Sequence, residues 1–172
     1  MLPGAADNNL LQIVEGPGYV VLLHEIDHST RVIPTDGRPH AGKDVTSYMG
    51  DSRGHWEGNT LVVETTNFND RTGAGGGYFT DAAVLTERFT RTGPNDLVYE
   101  VTVNDPKTWT KPWTISMPYK QDPHYTIYEY ACHEGNYMML DSLTGARELE
   151  KKGLSTKVDR GAAGGPPPGQ QQ

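Results

Sequence analysis

The chain of 172 residues has only one cysteine, Cys132, and few long apolar segments. A single cysteine excludes an internal disulfide framework and any Cys-x-x-Cys metal or redox motif. No segment approaches the roughly 18 consecutive apolar residues that a membrane-spanning helix needs. Positive charge is also scarce, with 15 Lys and Arg against 22 Asp and Glu, whereas proteins that bind nucleic acid normally present a basic face. We therefore expect a small-molecule ligand or substrate, no nucleic-acid partner and no membrane span, with the oligomeric state left open.

Glycine and proline are abundant, with 20 and 12 residues, and they divide the chain into short segments. Eight of these segments are rich in β-branched, aromatic and leucine residues and are bounded by turn residues, which is typical of β-strands. They cover residues 10–14, 19–28, 30–34, 60–68, 84–91, 97–103, 113–119 and 125–132. Short turns between successive segments predict antiparallel hairpins.

One further segment, residues 136–152, has the three- and four-residue spacing of apolar side chains that predicts a helix. Eight strands followed by one helix predict a mainly β fold. We expect an antiparallel meander that closes into a lipocalin-like barrel, or forms a sandwich, with one C-terminal helix. Residues 8–154 then form a single β-rich domain, and the Gly-, Pro- and Gln-rich residues 155–172 form a disordered tail.

Acidic side chains in the centres of predicted strands are the first candidates for a site. In the segment 84–91, Glu87 shares a face with Leu85 and Phe89, so alternation predicts that it points inward. A carboxylate in a barrel interior can act as a general acid or base with a pKa raised by desolvation, or anchor a polar group of a ligand. It can equally be a structural pair with an Arg, Tyr or His across the barrel. Glu129 has apolar residues on both faces of its segment, and its direction stays open.

Histidines provide the second set of candidates. Residues 24–28 have the letters of the H-E-x-x-H zinc motif. In a strand, however, side chains four residues apart lie about 13 Å from each other, too far to share a metal. His40, His55 and His133 lie in predicted loops or at strand ends, where they could meet at one mouth of the barrel. We predict no cofactor, with a divalent metal bound by these three histidines as the alternative.

Four motifs are long enough to indicate a family. They are DGRPH at residues 36–40, YMGDSRGHWEGNTLVVETTNF at 48–68, LTERF at 85–89 and YEYACHEGNY at 128–137. With these motifs the chain resembles a large family of uncharacterised bacterial proteins that are frequent in Acidobacteria and other soil groups. The resemblance implies no catalytic residue. It implies a periplasmic or extracellular protein, because members commonly carry an export signal, although Met1-Leu2-Pro3-Gly4 here lacks the charged start and apolar run of a signal peptide. By the same resemblance, the chain looks like a truncated or unusually short member.

Three functions are compatible with these residues. The first is a small-molecule enzyme that uses acid–base chemistry of lyase, isomerase or hydrolase type in a β-barrel cavity. The catalytic candidates are Glu87, His133, His55 and Glu129, and the substrate-binding candidates are Arg38, Arg53, Trp56 and Tyr128. The second is a non-catalytic binding module for a small hydrophobic or aromatic ligand. The third is a structural domain whose motifs only build turns and packing.

Overall fold

Ten strands and one helix are present in the part of the chain that the computed structural model describes, which is residues 10–25, 29–69, 71, 73–74, 77–131 and 134–154. The chain divides into two units, Met1–Tyr130 and Ala131–Gln172. The first unit contains the strands β1 Leu11–Gly16, β2 Tyr19–His24, β3 Thr30–Pro34, β4 Asp51–Glu57, β5 Thr60–Thr66, β6 Gly73–Ala74, β7 Gly77–Tyr78, β8 Val84–Arg91, β9 Asp96–Asn104 and β10 Trp113–Lys120.

The second unit contains the helix α1, Met138–Lys151, which lies within the predicted segment. The helix ends at Lys151, and two residues later the N–H of Gly153, which has a φ of +67°, donates to the Glu150 carbonyl. The predicted domain 8–154 spans the boundary between the two units. The predicted tail, 155–172, lies outside the described residues.

Antiparallel pairing arranges the strands in two main sheets. A three-stranded sheet has the order β1-β2-β3, a five-stranded sheet has the order β10-β9-β8-β5-β4, and β6 and β7 form a short pair of their own. The structure thus confirms a mainly β, antiparallel fold with one C-terminal helix. Among the described strands, no hydrogen-bonded pairing joins the two main sheets, so a closed barrel is not confirmed.

Alternation along the strands produces the shared core. In β8 the side chains of Leu85, Glu87 and Phe89 are buried, as predicted, while the residues between them are only partly covered. The buried core of the five-stranded sheet continues into Val63 and Val101, which pair with Glu87 on either side. It packs with buried residues of the three-stranded sheet, namely Val20, Leu22 and Ile33.

Strand β4 was not predicted, and its composition explains why. Its buried positions are Ser52 and Gly54, so it lacks the apolar face that identifies a half-buried strand. The glycine is required by packing, because a Cβ at Gly54 would lie 2.9 Å from the Ile33 Cγ2 atom. A small residue here lets β3 approach β4 closely.

The strand predicted at 125–132 is wrong over the residues described. Residues 125–131 have no strand structure and residue 132 lies outside the described residues. The Tyr128 N–H donates to the side chain of Glu25, at 3.1 Å, instead of to a neighbouring strand. Tyrosine and isoleucine favour strands only where a partner and a packed face exist, and the exposed Tyr125 and Tyr128 lack such a face.

A buried aspartate holds the connections at one end of the five-stranded sheet. The carboxylate of Asp105, only 1% exposed, accepts bonds from the Thr80 N–H at 2.8 Å, the Thr80 hydroxyl at 2.7 Å and the Thr108 hydroxyl at 2.9 Å. The Lys107 N–H donates at 3.2 Å as well. Burial alone would raise the pKa of Asp105, but these donors together lower it.

Replacing Asp105 with Ala should lower the free energy of unfolding by at least about 2 kcal/mol, because several buried donors lose their acceptor. Urea unfolding followed by tryptophan fluorescence measures the loss. Asp81→Ala is the control, since Asp81 belongs to the same region but its ion pair with Lys107 is exposed. Equal effects of the two substitutions would contradict this role of Asp105.

Candidate functional site

Asp51, at the start of β4, is the centre of a polar cluster at the edge of the five-stranded sheet. Its Oδ2 atom lies 2.9 Å from the His40 Nδ1 atom and accepts the Ala41 N–H at 2.9 Å. Its Oδ1 atom accepts a bond from the Arg53 Nη1 atom at 2.6 Å. Burial would raise the pKa of Asp51, but the bonds from Ala41, His40 and Arg53 lower it. Asp51 is therefore a fixed carboxylate with partners on both oxygens.

The surrounding hydrogen bonds assign the tautomer of His40. The Thr66 hydroxyl donates to the Asn67 Oδ1 atom at 3.1 Å and lies 3.3 Å from the His40 Nδ1 atom. The Thr66 oxygen can then only accept a bond from the ring, and the Asp51 carboxylate is also an acceptor. Nδ1 therefore carries the proton. The other ring nitrogen, Nε2, lies 3.2 Å from the Oε1 atom of Glu64. The Glu64 side chain is 55% exposed, so this face of the ring opens towards solvent.

The segment that carries His40 is held against the end of β5. Asn67 has a φ of +58°, and its Nδ2 atom donates to the carbonyls of Ala41 at 3.2 Å, Gly42 at 3.0 Å and Val45 at 3.1 Å. Asparagine tolerates this left-handed backbone better than most residues. The position of His40 is therefore fixed by Asp51, which contacts the ring, and by Asn67, which holds the backbone that follows His40.

Arg53 connects the same segment to β4. Its Nε atom donates to the Pro39 carbonyl at 2.9 Å, and its Nη1 atom donates to the Ser52 carbonyl at 2.7 Å as well as to Asp51. Within the part of the chain that the structure describes, its Nη2 atom forms no hydrogen bond or ion pair. That end of the guanidinium is available for an oxygen of a ligand.

Other predicted site residues lie apart from this cluster. Arg38 is 60% exposed and pairs with Asp36 at 2.5 Å, and His55 is 63% exposed and contacts Glu57 at 3.2 Å. Trp56 is also exposed on β4. Glu129 and Tyr128 lie outside the strands and are exposed. His133 lies outside the described residues.

The structure brings His40 and Arg53 together, but it does not show His40 and His55 meeting around a metal. Each of the two histidines contacts its own carboxylates. Among the described residues, no group of three or more His, Cys, Asp or Glu side chains could hold a metal ion.

Glu87 points inward but forms a buried ion pair. Its Oε2 atom lies 2.7 Å from the Arg31 Nη1 atom, and its Oε1 atom accepts bonds from Arg31 Nη2 at 2.9 Å and the Tyr99 hydroxyl at 2.8 Å. The two charged side chains are 1% and 5% exposed. Burial alone would raise the pKa of Glu87, as the sequence predicted, but the charge of Arg31 and the hydrogen bonds hold it at about 2. The pairing across the interior, one of the alternatives left open above, is thus the arrangement found.

The interior next to this pair has little free space. A cavity of about 10 Å³ borders Arg31 and Glu87 and is lined mainly by apolar and aromatic side chains such as Leu22 and Phe89. A buried water needs at least about 10–15 Å³ by this measure, so the cavity holds one water at most.

Sequence reasoning missed several residues of these two clusters, among them Arg31, Asp51 and Thr66. Arg31 lies two residues before Ile33 in β3, so the two side chains share the buried face of the strand. Asp51 and Thr66 lie inside the quoted motifs, but nothing local in the sequence distinguishes them from turn or surface residues. Their roles depend on the pairing of Asp51 with Thr66 across β4 and β5.

Comparisons with models of protein families, with curated proteins and with solved structures found no match to this chain. No helix in the described part of the chain is long and apolar enough to cross a membrane. The candidate site therefore rests on its own geometry.

Replacing Glu87 with Gln should lower the free energy of unfolding at pH 7 by about 3–5 kcal/mol, because Arg31 is left as an uncompensated buried charge. The pKa of Glu87 is about 2 in the folded protein against an ordinary 4.5. Its contribution is therefore complete above about pH 4.5 and is lost as the pH falls towards 2. Urea unfolding between pH 7 and pH 3 should show the difference from the parent protein shrinking on acidification.

Glu100→Gln, on the neighbouring strand β9, is the matched control and should have a small effect at both pH values. The double variant Arg31→Met/Glu87→Leu should recover most of the lost stability, since no buried charge remains. A loss in Glu87→Gln no larger than that in Glu100→Gln would rule out the buried pair.

Proposed function

We propose that this protein is a small-molecule enzyme that uses acid–base chemistry at the His40–Asp51 pair. The observation that carries the proposal is the 2.9 Å contact between the His40 Nδ1 atom and Asp51, a carboxylate that is itself held by Ala41 and Arg53. Imidazole is the side chain best suited to gain and lose a proton near neutral pH.

The direction of the ring determines which atom would exchange the proton. Because Nδ1 is committed to Asp51, Nε2 would take a proton from water or substrate and return it to a leaving group. Asp51 would keep the ring in one orientation and stabilise the imidazolium that forms. Glu64, which is largely exposed, would move aside when a substrate approaches Nε2.

Arg53 would orient the substrate in this scheme. The other nitrogens of its guanidinium donate to Asp51 and to the Pro39 carbonyl. These bonds restrict the position of the Nη2 atom before any ligand binds. A carboxylate or a polarised carbonyl oxygen of the substrate is the group that a guanidinium binds best. We infer a small polar or anionic substrate rather than a hydrophobic one.

The proposal places the chemistry at the sheet edge and not in the interior, where Glu87 is paired and the free space is about 10 Å³. In place of a closed barrel around a cavity, the two sheets would form an open β structure in which β3 packs on β4 at Gly54. The family resemblance adds the inference that the protein acts outside the cytoplasm.

Hydrolysis of p-nitrophenyl acetate tests the proposal without knowledge of the natural substrate. In this reaction Nε2 takes a proton from water as the water oxygen attacks the ester carbonyl. The tetrahedral intermediate then breaks its bond to p-nitrophenolate and becomes acetic acid, and Nε2 releases its proton to the solvent. His40→Gln should lower the rate above background by about 10²-fold or more, the usual contribution of a general base. Asp51→Asn should also lower it, because the ring loses its orientation.

His55→Gln is the matched control, since His55 lies on β4 but contacts only Glu57 and solvent in the described structure. It should keep the parent rate. Circular dichroism of each variant confirms that the fold is kept. An unchanged rate in His40→Gln, or an equal loss in His55→Gln, would exclude His40 as the base.

A further inference from the structure

Glu25, directly after β2, is a second buried carboxylate with an unusual set of partners. It is 3% exposed. Its Oε1 atom accepts bonds from the Tyr125 hydroxyl at 2.7 Å and from the Tyr128 N–H at 3.1 Å. Its Oε2 atom is buried and has no hydrogen-bond partner among the residues that the structure describes. An unpaired buried oxygen of this kind is costly and calls for a partner.

The contrast with Glu87 shows which partner is missing. Glu87 is neutralised by Arg31, whereas no Lys, Arg or His in the described residues forms an ion pair with Glu25. Both donors to Glu25 are neutral groups. The hydrogen bond to Glu25 raises the pKa of Tyr125, which keeps its hydroxyl a donor. Within the described part of the chain, the negative charge of this site is therefore left without a cation.

The two residues that donate to this carboxylate also bring their aromatic rings together. The rings of Tyr125 and Tyr128 are 5.8 Å apart between centroids and almost perpendicular, at 89°. They are 41% and 66% exposed, so this pair of perpendicular rings, the tyrosine corner, is open to solvent. Aromatic faces at right angles bind the positively charged methyl groups of ammonium ions, and a nearby carboxylate strengthens the attraction.

We propose that Tyr125, Tyr128 and Glu25 form a binding site for a small organic cation that carries an alkylated ammonium group. The cation rests against the two ring faces, and Glu25 supplies the charge that opposes it. The net charge of −7 favours the approach of cations to the whole chain. The site is independent of the proposed chemistry at His40, since it shares no residue with it.

Titration with choline tests the site, and its uncharged carbon isostere 3,3-dimethylbutan-1-ol is the ligand control. Choline should bind saturably and shift the ring resonances of Tyr125 and Tyr128 in aromatic ¹H–¹³C NMR spectra, without shifting those of Tyr137. The isostere should bind at least about tenfold more weakly, because it has the same shape without the charge. Equal binding of the two compounds, or no saturable binding of choline, would overturn the proposal.

Tyr128→Leu removes one ring but keeps the hydrogen bond to Glu25, which comes from the backbone N–H. It should weaken choline binding by about three- to thirtyfold. Tyr137→Leu is its matched control, since Tyr137 is also 66% exposed, and it should bind like the parent protein. An equal loss in both variants would show that the tyrosine corner is not the site.

Glu25→Gln keeps an oxygen for both donors and removes the charge, so it should weaken choline binding about tenfold or more. Unchanged affinity in a folded Glu25→Gln protein would refute the role of the carboxylate. His40→Gln should leave choline binding intact, which separates this site from the proposed catalytic one. A loss of choline binding in His40→Gln would count against two independent sites.

Discussion

The buried ion pair between Arg31 and Glu87 is the interaction on which the arrangement of the two sheets depends. Apolar packing between the sheets is non-directional, whereas the pair aligns two oxygens with two guanidinium nitrogens. A shift of β8 by one residue would turn Glu87 to the outer face and leave Arg31 buried without a partner. The pair therefore penalises alternative registers of β3 against β8 more strongly than the surrounding apolar residues do.

This register also determines where the candidate site lies. Strand β8 pairs with β5, and β5 pairs with β4, so the position of Asp51 follows from that of β8. Strand β3 approaches β4 at Gly54, and the segment that follows β3 carries His40 back to Asp51. The edge of the sheet thus combines a rigid carboxylate from β4 with a histidine from a connection. Functional groups are commonly found on connections that a rigid scaffold positions.

The acidic side chains of the first unit differ mainly in their partners. Among the described residues, Glu87 is paired with a cation, Asp51 with a cation and two further donors, and Glu25 with neutral donors alone. A buried carboxylate whose two oxygens are both paired with a cation stabilises the folded state and has no free oxygen to bind a ligand. One that is buried with an unpaired oxygen, or that orients a partly exposed histidine, keeps the capacity to interact. The partners of these carboxylates, and not their sequence context, thus distinguish the structural Glu87 from the two carboxylates for which we propose a function.

Alternation and helical spacing are local properties, so the residues alone predicted most strands with an apolar face, the helix and the inward direction of Glu87. That β4 is a strand follows from its packing, because its buried positions, Ser52 and Gly54, become recognisable when β3 packs on them. The tertiary structure also shows that residues 125–131 are not a strand and that Glu87 is paired, since both depend on partners distant in the chain. Contacts between His40 and Asp51, or between Glu25 and Tyr125, join residues that no local pattern connects. Sequence periodicity specifies which face a side chain occupies, and the register between strands specifies what it meets there.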